Sequence, residues 1–140
     1  MKLSSITPEE NLVTLLTGQI LVGRAHTQVP VFRGGNVPTT NNAEDFIIVE
    51  QNGNTRSFTT TVDVLSGYLM VTYYTKLNAN GTIRYTRVNK ILDQMETTCS
   101  NKYDAKFFFE LDRNNLVTNP TANQGIGYSV MRVNVHWHTK

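Results

Sequence analysis

Cysteine is nearly absent from this chain, and long apolar runs are absent altogether. The single cysteine, Cys99, has no second thiol with which to form an internal disulfide, so we expect folding in a reducing cytoplasm. No window approaches 18 continuous apolar residues, and residues 1–6 lack a basic stretch followed by an apolar one. The sequence therefore predicts neither a transmembrane helix nor a signal peptide.

Charge is also scarce. Charged residues make up 17% of the 140 residues, against roughly 25% in typical soluble domains. The formal net charge of +2 is too small to indicate nucleic-acid binding by itself. Asn and Thr are abundant instead, which favours a β-rich protein whose faces meet other protein surfaces. The length suits one core, and we predict a single domain over residues 1–140.

The first predicted element is a helix with a capping box. Thr7 is the expected N-cap, Pro8 occupies the first helical position and Glu10 lies three residues after the cap. The following apolar residues recur at helical spacing, and Gly18 or Gly23 is expected to end the helix.

Extended segments follow. We predict a short one over residues 29–33 and a buried strand over residues 46–51. Asn52-Gly53 predicts a tight hairpin that pairs this strand with residues 56–63. Residues 68–76 are rich in Tyr, Val and Thr and are predicted to form a long central strand.

A second helix is predicted from about Thr82, after a loop at residues 78–81. Its apolar stripe is expected to pack on the sheet and consists of Tyr85, Val88, Ile91, Leu92 and Met95. Arg84, Arg87 and Lys90 give the same helix a local basic excess, which acidic residues offset one turn later. These three cations either form a solvated face or contact DNA.

Strands are predicted over residues 105–111 and 127–138, joined by a long polar loop over residues 112–124. The order is α, β, β, β, α, β, β. This order predicts an α+β fold with a single, largely antiparallel β-sheet and both helices packed on one face.

No catalytic set is evident. His136 and His138 would lie on the same side of a strand and could bind a metal together with His26, but a zinc site usually needs three protein ligands. The alternative is an exposed strand end with Trp137 on the buried side. Cys99 would need a base brought close by the fold, and the simpler interpretation is a small buried thiol. We predict no catalytic residues, no metal and no cofactor.

The layout resembles that of the tail terminator, or tail-completion, proteins of long-tailed bacteriophages. The resemblance covers an N-terminal helix, a Pro/Gly-rich crossing, a hairpin and a strand leading into a helix over residues 69–95. It ends in a final strand containing Gly127, Tyr128, Ser129 and Val130. It implies a structural virion protein, made in the host cytoplasm, that forms a homo-oligomeric ring at the head–tail junction. The implied partners are tail-tube and head-connector proteins, with non-specific DNA contact in the lumen through Arg84, Arg87 and Lys90. The alternatives are another head–tail connector protein, or a small metal-binding or enzymatic domain using His136 and His138.

The polar loop over residues 112–124 is longer than a hairpin needs. Leu116 and Val117 form a lone apolar pair within it, flanked by Asn114 and Asn115. Burial of an apolar pair by a neighbouring subunit stabilises the assembly. We therefore predict that these four residues form an intersubunit or partner contact.

Overall fold

The computed structural model describes residues 8–51, 59–60, 64–104, 107–112, 121–123 and 126–138. Two helices in this part are α1 (Pro8–Leu16) and α2 (Tyr85–Cys99). The strands in chain order are β1 (Leu21–Val22), β2 (Thr27–Gln28), β3 (Val31–Arg33), β4 (Asp45–Gln51), β5 (Thr59–Thr60), β6 (Val64–Lys76), β7 (Lys102–Asp104), β8 (Phe107–Leu111), β9 (Thr121–Asn123) and β10 (Ile126–His138).

The main sheet has the strand order β3-β4-β6-β10-β8-β7, with β5 paired to β6 and β9 paired to β10. All described pairs are antiparallel except β3–β4, which is parallel. The α+β class and the mostly antiparallel sheet are thus confirmed. The prediction of a single sheet is wrong, because β1 and β2 form a separate two-stranded ribbon.

A tight turn explains why the ribbon stays apart from the main sheet. Gly23 and His26 have φ angles of 75° and 51°, and the His26 amide donates to the Gly23 carbonyl. The chain therefore folds back on itself locally. The side chain of Gln94 in α2 then satisfies both the amide and the carbonyl of Leu21, at 2.8 Å each, so the ribbon is anchored to the helix.

The centre of the main sheet is the β6–β10 pair, whose register runs from Lys76 opposite Ile126 to Val64 opposite His138. The predicted long central strand is therefore confirmed. The predicted pairing of residues 46–51 with residues 56–63 is wrong in the described part. There β4 lies between β3 and β6, so both of its edges are occupied, and Thr59–Thr60 pairs with β6 instead.

One face of this sheet is covered by both helices. Odd-numbered apolar side chains from β4, β6, β8 and β10, such as Val49, Val71, Phe109 and Val133, are buried in one core with Leu12 of α1. The same core contains the α2 residues Val88, Ile91, Leu92, Met95 and Cys99. The packing of the two helices on one face is what the order of elements predicts.

The helix ends differ in detail from the predicted ones. Pro8 begins α1, and Gly18, with a φ angle of 81°, follows its end, whereas Thr7 lies outside the described residues. α2 begins at Tyr85 rather than near Thr82, because the Thr82 hydroxyl and amide bond to the Asn80 side chain in the preceding turn. Tyr85, predicted to be in the core, is 58% exposed, and Cys99 extends the buried stripe at its other end.

The predicted pairing of the strands around residues 105–111 and 127–138 is confirmed by β8 and β10. The segment between them is not all loop, because Thr121–Asn123 pairs with β10 as β9. The short strand β7, which pairs with β8, was not predicted. The single domain over residues 1–140 stays a prediction.

Candidate protein interface

The second face of the main sheet is formed by the even-numbered residues of β3, β4, β6, β8 and β10 together with Tyr103 of β7, and within the described residues neither helix packs on it. Its side chains are mostly half-buried. The strand register aligns them in rows across β4, β6 and β10, of which the first is Phe46, Tyr74 and Tyr128. We call this surface the open face.

Aromatic side chains crowd one end of the open face. The rings of Phe46 and Tyr74 stack with their centroids 5.0 Å apart and their planes 16° from parallel. Phe32 of β3 meets Phe46 edge-on at 6.4 Å. Burial, followed by the charge of Glu50 and by Tyr128, raises the pKa of Tyr74, so its hydroxyl stays protonated at neutral pH. This end therefore presents a neutral, largely apolar surface.

A second aromatic group lies at the other end. The ring of Tyr103 on β7 is 4.6 Å from that of Phe108, and Phe108 lies 6.2 Å from the ring of His136. Tyr103 is 77% exposed. His136 Nδ1 is 3.3 Å from the Ser66 hydroxyl, and its Nε2 is 3.7 Å from a carboxylate oxygen of Glu110. His136 is thus part of a polar and aromatic cluster on the open face.

Charged residues occupy the middle. Glu50 and Arg132 flank Met70 in one row. The Arg132 guanidinium carbon lies 3.8 Å above the ring of Tyr68, and its Nε is 3.1 Å from a carboxylate oxygen of Asp112. Such a cation–π contact stabilises the guanidinium in its position over the ring.

The alternative of a metal site at His136, His138 and His26 finds no support in the described residues, where no group of three or more potential ligands comes together. His26 lies in the exposed turn of the β1–β2 ribbon, and His136 lies on the open face. The side chains of Trp137 and His138 are outside what the structure describes.

The predicted DNA-facing cations lie at the start of α2. Arg87 donates to the carboxylate of Asp45, and Arg84 bonds Glu44 at 3.2 Å and the Thr75 hydroxyl at 3.1 Å. Lys90 is exposed. Two of the three positive charges are therefore matched by carboxylates of the same chain, and the DNA contact itself stays a prediction.

Asp45 is the centre of this cluster, with a side chain only 2% exposed. Burial alone would raise the pKa of Asp45, but hydrogen bonds from Arg87, Tyr73 and Thr75 outweigh burial and hold the pKa below its usual value. The hydrogen bond with Asp45 also raises the pKa of Arg87. Asp45 is thus a buried, ionised carboxylate that ties α2 to β4 and β6, which is a structural role.

The remaining predicted residues divide into two groups. Cys99 is fully buried, and burial raises the pKa of its thiol to about 12, so the interpretation as a small buried thiol is confirmed. Asn114, Asn115, Leu116 and Val117 lie outside the described residues. Within the described chain, neither α1 nor α2 has the length and apolar character needed to cross a lipid bilayer.

The open face was not predicted from the sequence, although the sequence contains a signal for it. Residues 46–49 are apolar at every position, and so are residues 107–109. A strand with one solvated face alternates between apolar and polar residues, whereas an unbroken apolar run indicates that both faces meet other groups.

Comparisons with known proteins identify a fold and no function. No family model and no curated protein matches the chain. One solved structure, of a protein whose name states no function, shares the fold with a TM-score of 0.58 at 10% sequence identity. The match covers 93% of this chain and 89% of that chain. At this identity the likeness shows a common fold and nothing of activity or partners.

Proposed function

We propose that this protein is a structural subunit of a bacteriophage neck, either a tail terminator or another head–tail connector protein, that assembles into a homo-oligomeric ring. The open face of the main sheet is the observation that supports this most. It offers a broad surface for protein contact, and the described residues include no group of side chains arranged for catalysis. The proposal also draws on the resemblance in layout.

The composition of the open face favours a protein partner over water. An antiparallel sheet with one face on the core usually carries polar residues on the other. Here Phe46, Ile48, Tyr74 and Val130 lie together at one end of that other face, and Phe108 lies at its opposite end. Contiguous apolar surface of this kind marks contacts between proteins, with aromatic residues enriched among those that contribute most to binding.

The partners follow from the proposed position in the virion. Copies of the chain contact one another, and the ring meets tail-tube proteins on one side and head-connector proteins on the other. Leu116 and Val117, with Asn114 and Asn115 beside them, are a further proposed contact. DNA passing through the lumen would meet Lys90 first among the three cations at the start of α2, because Arg84 and Arg87 are paired with carboxylates.

The direct test is the mass and shape of the purified, untagged protein. We expect light scattering to give a mass of several subunits and electron microscopy to show closed rings with a central opening. A strict monomer at high micromolar concentration that also fails to bind tail-tube and connector proteins contradicts the proposal.

The loop contact has its own test. Replacing Leu116 and Val117 with serine removes the apolar pair and should reduce assembly while the monomer still folds cooperatively. Replacing Thr118 and Asn119 with serine is the matched control, since it changes two residues of the same segment outside the proposed contact and keeps the length and polarity. Equal assembly by both variants means that Leu116 and Val117 are not at an interface.

Contact with DNA is tested by measuring binding to duplex DNA across a range of salt concentrations. Binding through phosphates falls steeply as salt rises, and Lys90→Ala should reduce that slope. Binding that is absent, or insensitive to salt, removes DNA from the set of partners.

A further inference from the structure

The open face has an internal symmetry that the strand register makes visible. In three successive rows, β6 supplies the middle residue, and β4 and β10 supply the residues on either side. The flanking pairs are Phe46 with Tyr128, Ile48 with Val130, and Glu50 with Arg132. Both flanking strands are antiparallel to β6, so they run in the same direction as each other.

The three flanking pairs match in chemistry. The first joins two aromatic residues, the second two β-branched aliphatic residues, and the third an anion and a cation. The middle positions, occupied by Tyr74, Thr72 and Met70, carry no formal charge at neutral pH. A half-turn about an axis that follows β6 above the sheet exchanges β4 and β10. That rotation brings each residue opposite its match in a second copy.

We propose that the open face binds the open face of a second copy of this chain, related by a two-fold axis along β6. Two sheets packed face to face with aligned strands lie about 10 Å apart. Phe46 of each copy then lies over Tyr128 of the other, and Ile48 lies over Val130. The two helices of each copy remain on the outside, so the pair has four layers.

Charge complementarity is the reason for choosing a second copy as the occupant. Within the described residues no cation lies within salt-bridge distance of Glu50, and the side chain of Arg132 is 37% exposed although its Nε faces Asp112. In the two-fold pair each Glu50 meets Arg132 of the second copy, which gives two identical ion pairs in the middle of the contact. An unrelated apolar partner would leave the charge of Glu50 unmatched at the contact, whereas Arg132 already has Asp112 of its own chain beside it.

This contact is isologous, meaning that the same patch is used by both copies. A ring closes through other, heterologous contacts, so the inference adds to the proposed ring and does not depend on it. With both contacts present, two rings stack through their open faces. With the isologous contact alone, the protein is a dimer.

Charge reversal tests the pairing. Glu50→Arg and Arg132→Glu each place like charges opposite one another twice per pair. Each should halve the mass of the assembly, from dimer to monomer or from double ring to single ring, with the dissociation constant of the pair raised at least about tenfold. Mixing the two variants restores opposite charges at both positions and should restore the original mass.

Asp93→Arg is the matched control, because it makes the same charge change on the exposed side of α2, away from the open face. It should leave the mass unchanged. Cooperative thermal unfolding of every variant checks that the monomer still folds. The inference is overturned by a wild-type protein that never pairs, by equal effects of Glu50→Arg and Asp93→Arg, or by a mixture that stays at half mass. A single ring that Glu50→Arg leaves intact overturns the inference while leaving the proposed ring standing.

Discussion

The two faces of the main sheet carry similar side chains in different surroundings. On β8, Phe107 and Phe109 are buried under the helices, while Phe108 between them lies half-buried on the open face. The side chains of the covered face are buried by the helices of the same chain, whereas full burial of the open face requires contact with another molecule. An aromatic residue on a strand therefore indicates burial only when the face it occupies is known.

The neighbouring residues Phe109 and Phe108 give the largest expected difference between the faces. Phe109→Ala opens a cavity in the core and should lower the free energy of unfolding by about 3–5 kcal/mol. Phe108→Ala removes a side chain that is only partly buried and should cost about 1–2 kcal/mol in the monomer. Urea unfolding at low protein concentration measures both, and equal costs would contradict the distinction between a covered and an open face.

A polar group on the covered side gives the second prediction. Asp45→Asn should lower the free energy of unfolding by about 2–3 kcal/mol at neutral pH, because Arg87 and Tyr73 lose a buried ionised partner. Glu44→Gln, at an exposed partner of the same arginine, should cost less than about 0.5 kcal/mol. Comparable losses in both variants would show that burial of the carboxylate is unimportant.

The same substitution has a pH dependence with a fixed sign. The folded-state pKa of Asp45 is lowered, so the native state binds fewer protons than the unfolded state in acid. The advantage of the wild type over Asp45→Asn should be complete above about pH 5, since the unfolded pKa is about 3.9. It should shrink as the pH falls through the folded-state value. Urea unfolding at a series of pH values measures it, and an advantage that grows in acid would be inconsistent with a lowered pKa.

The anchoring of the ribbon should have a smaller effect. Gln94→Ala removes both hydrogen bonds to Leu21 and should cost about 1–2 kcal/mol. Hydrogen exchange at the Leu21 amide should quicken more than exchange at Val71 in the centre of the sheet. Unchanged exchange at Leu21 would mean that packing of Ile20 and Val29, rather than Gln94, holds the ribbon in place.

The smallest effect belongs to the open face. Glu50→Arg should change the stability of the isolated monomer by less than about 0.5 kcal/mol, since surface substitutions away from special features rarely do more. Unfolding at the lowest protein concentration that gives a signal provides the measurement. A large loss there would show that Glu50 supports its own fold and would separate that role from pairing.

Local sequence patterns predicted the individual elements better than their connections. The helices around Leu12 and Ile91 and the strand over residues 68–76 were predictable because their apolar spacing is local. The β4–β6 pairing was missed because Asn52-Gly53 favours a hairpin, whereas the partner of β4 is chosen by which strand edges are available in the folded sheet. The anchoring of the ribbon to α2 could not be predicted, because it depends on a contact between Leu21 and Gln94, 73 positions apart.

The candidate site was less predictable than the fold. The sequence alone indicated that Arg84 and Arg87 are unpaired cations. Their partners Glu44 and Asp45 lie some forty residues away and contact them only in the folded chain. The symmetry of the open face depends on the registers of β4 and β10 against β6. Strand register is set by pairing between distant segments, so a local sequence pattern does not predict it. The apolar run at residues 46–49 was the one available sign that both faces of β4 are used.

The long β6–β10 pair also has a consequence for how the chain folds. Its paired residues are separated by 50 to 74 positions, from Lys76 with Ile126 to Val64 with His138. Contacts between such distant residues are slow to form, whereas the intervening α2 forms quickly from local contacts. Until β10 docks, thirteen residues of β6 present an unpaired edge with apolar side chains on both faces. We expect that intermediate to be the point at which the protein is most prone to aggregate, so refolding yields should fall as the protein concentration rises.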